Sequence, residues 1–356
     1  MRRSDLRRTL ARLILPALPL LAPMGAMPAG AQDSSHGALD TAYVAGEYRV
    51  FTGGGEDASL DDVVAAMAPH EVVFVGETHD DPTGHRLEEE LLRRAYEAYG
   101  DPGPDGAASR PMALSLEFFE RDVQSILDEY LAGLITEAAF RSDARPWPRY
   151  ETDYRPLIEF SRQHGLHVIA ANAPRRYATR VTIHGRESLE DLSPEALASL
   201  APLPYGQPSD AYREQWIEAI AEVIEQEGMK CGIPDPEARA PVGSHEEMGN
   251  QLHSQALWDA TMAYWISRQL ESHPDALVLH MVGGFHVARG TGTPEHLHAY
   301  RPDASDMIVM LRPVEDVAMF EPAPEGEWGD FVIQTDASRT LEAIECRTPP
   351  AGREPR

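Results

Sequence analysis

Cysteine is almost absent: the 356 residues hold only Cys231 and Cys346. Two thiols cannot build a disulfide scaffold, and with no Cys-x-x-Cys or Cys-x-x-Cys-His present, thiolate zinc sites and covalently attached c-type haem are excluded. Sequence separation does not fix the distance between two Cα atoms, so the paired and the free state of these cysteines both stay open. Positive charge is also scarce. Lys and Arg number 31 against 58 Asp and Glu, for a net charge of −27. Such a surface repels phosphate backbones and anionic membranes, so no nucleic-acid partner is expected, whereas cations are attracted. Long apolar runs are missing after the first thirty residues. The one run there is, residues 13–27, is broken by Pro16, Pro19 and Pro23 and is short for a bilayer.

That run follows Arg2, Arg3, Arg7, Arg8 and Arg12 and precedes the small residues Ala29-Gly30-Ala31, the pattern of a secretory signal peptide over residues 1–31. The mature chain then starts near Gln32, periplasmic or secreted, and more acidic still because five arginines leave with one aspartate. No cysteine occupies the cleavage region, so a lipid anchor is not expected.

Short runs rich in Val, Ile and Leu at residues 72–76, 112–117, 167–171, 276–282 and 307–311 alternate with helical patterns at 83–99, 121–131 and 155–164. This predicts an α/β fold: a mainly parallel sheet flanked by helices, with edge strands at 48–51 and 331–334. The gap between the third and fourth strands is too long for one crossover. Helical patterns at 193–200, 209–226 and 245–270 fill it, so an inserted helical subdomain is expected over about 185–272, with a proline-bearing loop at 228–243. Residues 32–60 read as an N-terminal extension, 61–312 as the α/β domain, and 313–356 as a C-terminal extension with a disordered Pro- and Gly-rich tail from Arg347.

Chemistry gathers at the strand ends. Gly76-Glu77-Thr78-His79 closes the first buried strand, with His85 in the first turn of the next helix; Glu117 ends the second, Asn172 the third, and Gly283-Gly284-Phe285-His286 the fourth. In open parallel sheets ligands bind at this edge. One Gly-x-x-His alone reads as a helix cap or a hydrogen-bonded core histidine, and a strand-end Glu as a cap. Repetition on separate strands beside carboxylates points instead to a shared site for Zn²⁺, Mn²⁺, Fe²⁺ or Co²⁺. Asp259 lies on an apolar helical stripe with Leu252, Ala256, Ala263, Ile266 and Leu270, so it is expected to be buried and paired, either structurally or behind the site. Tyr154 and Tyr177 read as packing residues or as phenolate ligands to haem iron, and Arg175 and Arg176 as carboxylate clamps or a decorated helix start.

These residues resemble a known family. Gly76-Glu77-Thr78-His79 with His85, Leu116-Glu117-Phe118-Phe119-Glu120-Arg121, Asn172-Ala173-Pro174-Arg175, Asp259-x-x-Met262-Ala263, and Gly283-Gly284-Phe285-His286 followed by Gly292-Thr293-Pro294 look like the ChaN-like haem-binding uptake proteins. That family sits in the Tiki superfamily, with TraB/PrgY-like and erythromycin-esterase-like relatives, and the likeness runs over residues 61–312. The resemblance implies a cell-envelope protein linked to haem or iron acquisition, holding haem or a divalent transition-metal ion. Its partners would be haem or another small molecule, an uptake receptor, or a second copy of the chain. It also implies the alternative of a metal-dependent hydrolase, with His79, His286 and His85 as metal ligands and Glu77 and Glu117 as ligands or general base. The missing lipobox cysteine, the acidity and the 228–243 loop depart from the family.

Mass mapping of the protein from its native host should find an N-terminus near Gln32; a retained Met1 would contradict the reading of the first segment.

Overall fold

The computed structural model describes residues 46–103, 109–230, 245–324 and 326–341. The signal segment, Cys231, Cys346, most of the 228–243 loop and the tail from Arg347 lie outside the described residues. One sheet of eight strands organises the rest: β1 Tyr48–Thr52, β2 Asp57–Ala58, β3 Val72–Glu77, β4 Met112–Glu120, β5 His167–Asn172, β6 Leu277–Gly283, β7 Asp306–Val314 and β8 Phe331–Asp336. Their order is β2-β1-β8-β7-β3-β6-β4-β5. From β8 to β5 every pairing is parallel, and only β1 and β2 run antiparallel at one edge.

The helices of eight or more residues are α1 Pro82–Ala95, α2 Gln124–Leu131, α3 Arg155–His164, α4 Arg175–His184, α5 Asp210–Lys230, α6 His245–Ser272 and α7 Thr293–Tyr300. They cover both faces of the sheet, which is why β3 is buried along its whole length and reads as a continuous apolar run. Its side chains alternate all the same. Val73 and Val75 join Leu87, Leu91, Leu157 and Ile158 in one core, while Val72 and Phe74 join Met262, Ile266 and Leu297 in the other. Each such side chain contributes about 1.5–3 kcal/mol on burial.

Local signals set the helix starts. Asp81 accepts a hydrogen bond from the Thr83 backbone N–H at 2.9 Å and Pro82 takes the first position of α1, so the chain turns into helix directly after the β3 edge. The predicted helix at 83–99 ends instead at Ala95 and continues as a wider turn, Tyr96–Gly100. Likewise, the one predicted at 121–131 begins with a tight 3₁₀ turn, Arg121–Val123. The long helix α6 serves two layers. Leu252 packs with Tyr212 and Trp216, and Ala256, Leu257 and Ala260 pack with Val181, Leu189 and Leu200, whereas Met262, Ala263, Ile266 and Leu270 lie on the sheet.

Within the second core, His280 of β6 is fully buried, its Nδ1 2.9 Å from the Ser115 hydroxyl and its ring edge-on to Phe74 at 5.8 Å. Burial drives its pKa from 6.5 down to about 3. The folded state therefore holds it neutral where the unfolded chain protonates it, so its contribution to stability is full above pH 6.5 and is lost as pH falls toward 3. His280→Leu should gain on the wild type by about 2–3 kcal/mol between pH 8 and about pH 4.5. Urea unfolding at the two pH values checks this, and an identical difference at both would contradict it.

Candidate functional site at the carboxyl edge of the sheet

Strand order brings β3, β6 and β4 side by side, with Glu77 paired across to Gly283 and Glu117 on the far side of β6. Gly283 is the hub of this edge. Its N–H donates to Glu117 Oε2 at 2.7 Å. A Cβ at Gly283 would stand 2.9 Å from His79 Cε1, 3.2 Å from His79 Nε2 and 3.4 Å from Glu117 Oε2. The missing side chain is therefore what lets the His79 ring lie across β6 beside Glu117.

Glu77, 3 % exposed, ends β3 and serves two histidines. Its Oε1 meets His79 Nδ1 in a short contact, and its Oε2 lies 3.5 Å from His85 Nε2. His79 sits at the opening, with 47 % of its side chain exposed and Trp147 edge-on to the ring at 5.0 Å. Burial opposes charge on this ring, but Glu77 and Glu117 outweigh it and raise its pKa, the exposed part being screened by water. Arg149, in a left-handed backbone conformation with φ 63°, donates to the His79 carbonyl and, at 2.7 Å, to Asp153. The loop carrying Trp147 is thereby fastened to the turn carrying His79.

His85 lies deeper, in α1. Its Nδ1 is 3.0 Å from Glu88 Oε2, and its Nε2 is 3.1 Å from the His79 carbonyl and 3.6 Å from Asp153 Oδ2. Burial disfavours its charge, yet Glu88 and Glu77 raise its pKa, while burial pushes the Glu88 carboxyl up.

The second Gly-x-x-His is built the same way. His286 Nδ1 is 2.8 Å from Asp259 Oδ1, and its Nε2 faces Glu117 Oε1 at 3.7 Å. Asp259, fully buried on α6, also accepts from Thr293 Oγ1 at 2.8 Å and from the Tyr212 hydroxyl at 2.5 Å. A carboxylate that fixes Nδ1 leaves Nε2 as the nitrogen presented to a ligand. Burial opposes charge on His286 too, but Asp259 and Glu117 raise its pKa, and the positive charge of His79 works against them. Glu117 thus faces His286 directly, and its charge also acts on His79.

The remaining sequence candidates fall into different places. Asn172, 6 % exposed at the end of β5, has an Oδ1 without a hydrogen-bond partner. Tyr154 is 2 % exposed and stacked on Phe118 at 3.9 Å, edge-on to His85 at 5.1 Å; burial and the surrounding carboxylates raise its pKa. It packs behind the cluster. Tyr177 packs in a separate apolar group under the Arg176 guanidinium, 4.4 Å from its ring. Arg175 and Arg176 are exposed at the start of α4, with Arg176 paired to Asp122 at 2.7 Å. Glu88, Asp153 and Tyr212 escaped the sequence reading. Glu88 had a signal: with Leu87, Leu91 and Ala95 it lies on the stripe of α1 that is buried.

An α/β protein with a histidine- and carboxylate-lined sheet edge is the class that fold and site define. More narrowly, the chain belongs to the family described as haem-binding uptake, Tiki superfamily, ChaN, whose family model matches residues 63–297. Among solved structures it is similar to a ChaN of Campylobacter jejuni with cofacially bound heme, covering 80 % of this chain and 96 % of that one with a TM-score of 0.55 at 14 % identity. At that identity the likeness shows the α/β fold. Erythromycin esterase EreC in its open conformation matches with a TM-score of 0.39 and 15 % identity over 84 % of each chain. Among curated proteins, the chloroplastic Protein RETICULATA-RELATED 5 of Arabidopsis thaliana is 24 % identical over 251 residues, 68 % of this chain. The chain spans only 31 % of the length of that relative.

Asp259→Leu strands three donors and leaves His286 without its buried counter-charge, so unfolding free energy should fall by about 3–5 kcal/mol. An unchanged urea midpoint would show that Asp259 holds nothing in place.

Proposed function

We propose that this chain is an exported haem-binding protein of the cell envelope serving haem or iron uptake, with His79 as the imidazole that meets haem iron. Membership of a haem-binding family supports the ligand, and the Arg-rich, proline-broken segment ahead of Gln32 supports export. The observation that carries the assignment to a residue is the His79 ring: nearly half exposed, held through Nδ1 by Glu77, and lying over a glycine with Nε2 uncommitted. These features fit an axial nitrogen donor, oriented from behind by a carboxylate and open to a large planar group in front. Tyr154, by contrast, has no open face. Haem would bring the iron that is both cargo and spectroscopic reporter. Trp147 would wall the planar group, and Arg175 and Arg176 would meet its propionates. An uptake receptor or a second copy of the chain would receive or share the ligand at the same open edge.

A second reading, a metal-dependent hydrolase, is favoured by one observation. His286, positioned by Asp259, turns Nε2 toward Glu117 at 3.7 Å, a pairing suited to moving a proton to and from water. Chelator-sensitive ester turnover lost in His286→Asn would favour it; a hemin Soret shift without turnover favours the first.

Hemin titration followed by the Soret band should show about a 10- to 100-fold loss of affinity in His79→Ala. Gly283→Ala should lose affinity in the same direction while staying folded, because its φ of −55° suits any residue and only the His79 ring is displaced. Wild-type titration curves in both variants would overturn the assignment.

A further inference from the structure

Behind His79 lies a group of ligands that the haem reading leaves unused. Glu77, His85 and Glu88 are all buried, and one ligand atom from each lies within 4.8 Å of the others. Glu88 is 0 % exposed on α1, one helical turn after His85, so both side chains leave the same face of the helix toward the end of β3. Glu77 Oε1 is committed to His79, but its Oε2 points the other way, toward His85, and has no hydrogen-bond partner. Glu88 Oε1 likewise has none. Two orphaned carboxylate oxygens on residues more than nine-tenths buried are costly unless a cation meets them. Both residues are buried away from solvent, and Arg149, which reaches the neighbouring His79 carbonyl, is engaged there and with Asp153.

We propose that Glu77, His85 and Glu88 bind one divalent transition-metal ion, beneath and separate from the open face where His79 stands. One imidazole and two carboxylates form a mixed nitrogen and oxygen donor set of the kind taken by Mn²⁺, Fe²⁺, Co²⁺ or Zn²⁺, and poorly matched to Ca²⁺, which takes oxygen alone. Asp153 Oδ2 and the His79 carbonyl lie outside this group, beside His85 Nε2 at 3.6 and 3.1 Å. Glu77 then joins the two places, one oxygen orienting the exposed imidazole and the other holding the ion. Hemin plays no part in this site, so the two proposals stand or fall separately.

Co²⁺ serves as the probe, because its visible d–d bands report protein ligation directly. The untagged full-length chain, stripped with chelator and titrated with Co²⁺ in the absence of hemin, should take up one ion per chain, develop d–d bands and gain thermal stability. Glu88→Gln, which keeps size and removes a charged ligand, should weaken Co²⁺ binding at least about 10-fold. The same variant should titrate hemin as the wild type does, which also shows that it is folded. Should Glu88→Gln fail to fold, Glu88→Asp, with the carboxylate drawn back by one methylene, should show the same loss. A wild-type chain that binds Co²⁺ well below one per chain, or a folded Glu88 variant with unchanged Co²⁺ affinity, would overturn the proposal, whatever the hemin titration shows.

Discussion

Glu77 is a carboxylate buried at the end of the central strand, and an isolated charge there would be several kcal/mol out of balance. Its neighbours are arranged to meet that demand. One oxygen takes His79 and the other faces His85, so the strand end fixes the orientation of two histidines carried by the turn and helix that follow it. Backbone geometry supplies the rest. A fully buried parallel strand has nowhere to place a charge except its end, and the Asp81 cap starts α1 at once, returning His85 and Glu88 over the same spot.

The site repeats one device. In each half a glutamate carried by a strand, at the end of β3 but three residues before the end of β4, faces the Nε2 of a histidine whose Nδ1 is held by a buried helical carboxylate: Glu77, His85 and Glu88 in one, Glu117, His286 and Asp259 in the other. Strands deliver the facing carboxylates and helices deliver the orienting ones. His79 belongs to neither triad and is the only one of the three histidines with substantial exposure, which suits it to meet a ligand from outside.

Most of the sheet was legible because its signal is local. The runs at 72–76, 167–171 and 331–334 begin where the strands do, and each strand continues one or two residues further, in β3 into the carboxylate that carries the site. The two-residue strand β2 was too short to leave a pattern, and the short helix at 60–66 was missed although Ser59 and Asp62 form a reciprocal cap. Asp259 stood out because one acid on an apolar stripe breaks a pattern. Glu88 did not, since a run of three glutamates in sequence resembles a solvated face and masks its place on the apolar stripe of α1. Tyr212 and Thr293 lie far from Asp259 in the chain, so nothing short of the fold could join them. Tyrosine chemistry suggested Tyr154 and Tyr177 as ligands, whereas side-chain direction, which residue type does not carry, sends the first behind the cluster and the second into another core.

The central claim is that an exposed imidazole at the end of the central strand is the contact this chain makes with haem iron. Anomalous diffraction at the iron edge from crystals grown with hemin tests it most directly. An iron peak within bonding distance of His79 Nε2 is the predicted result, and iron held elsewhere on the chain, with His79 free, would contradict it.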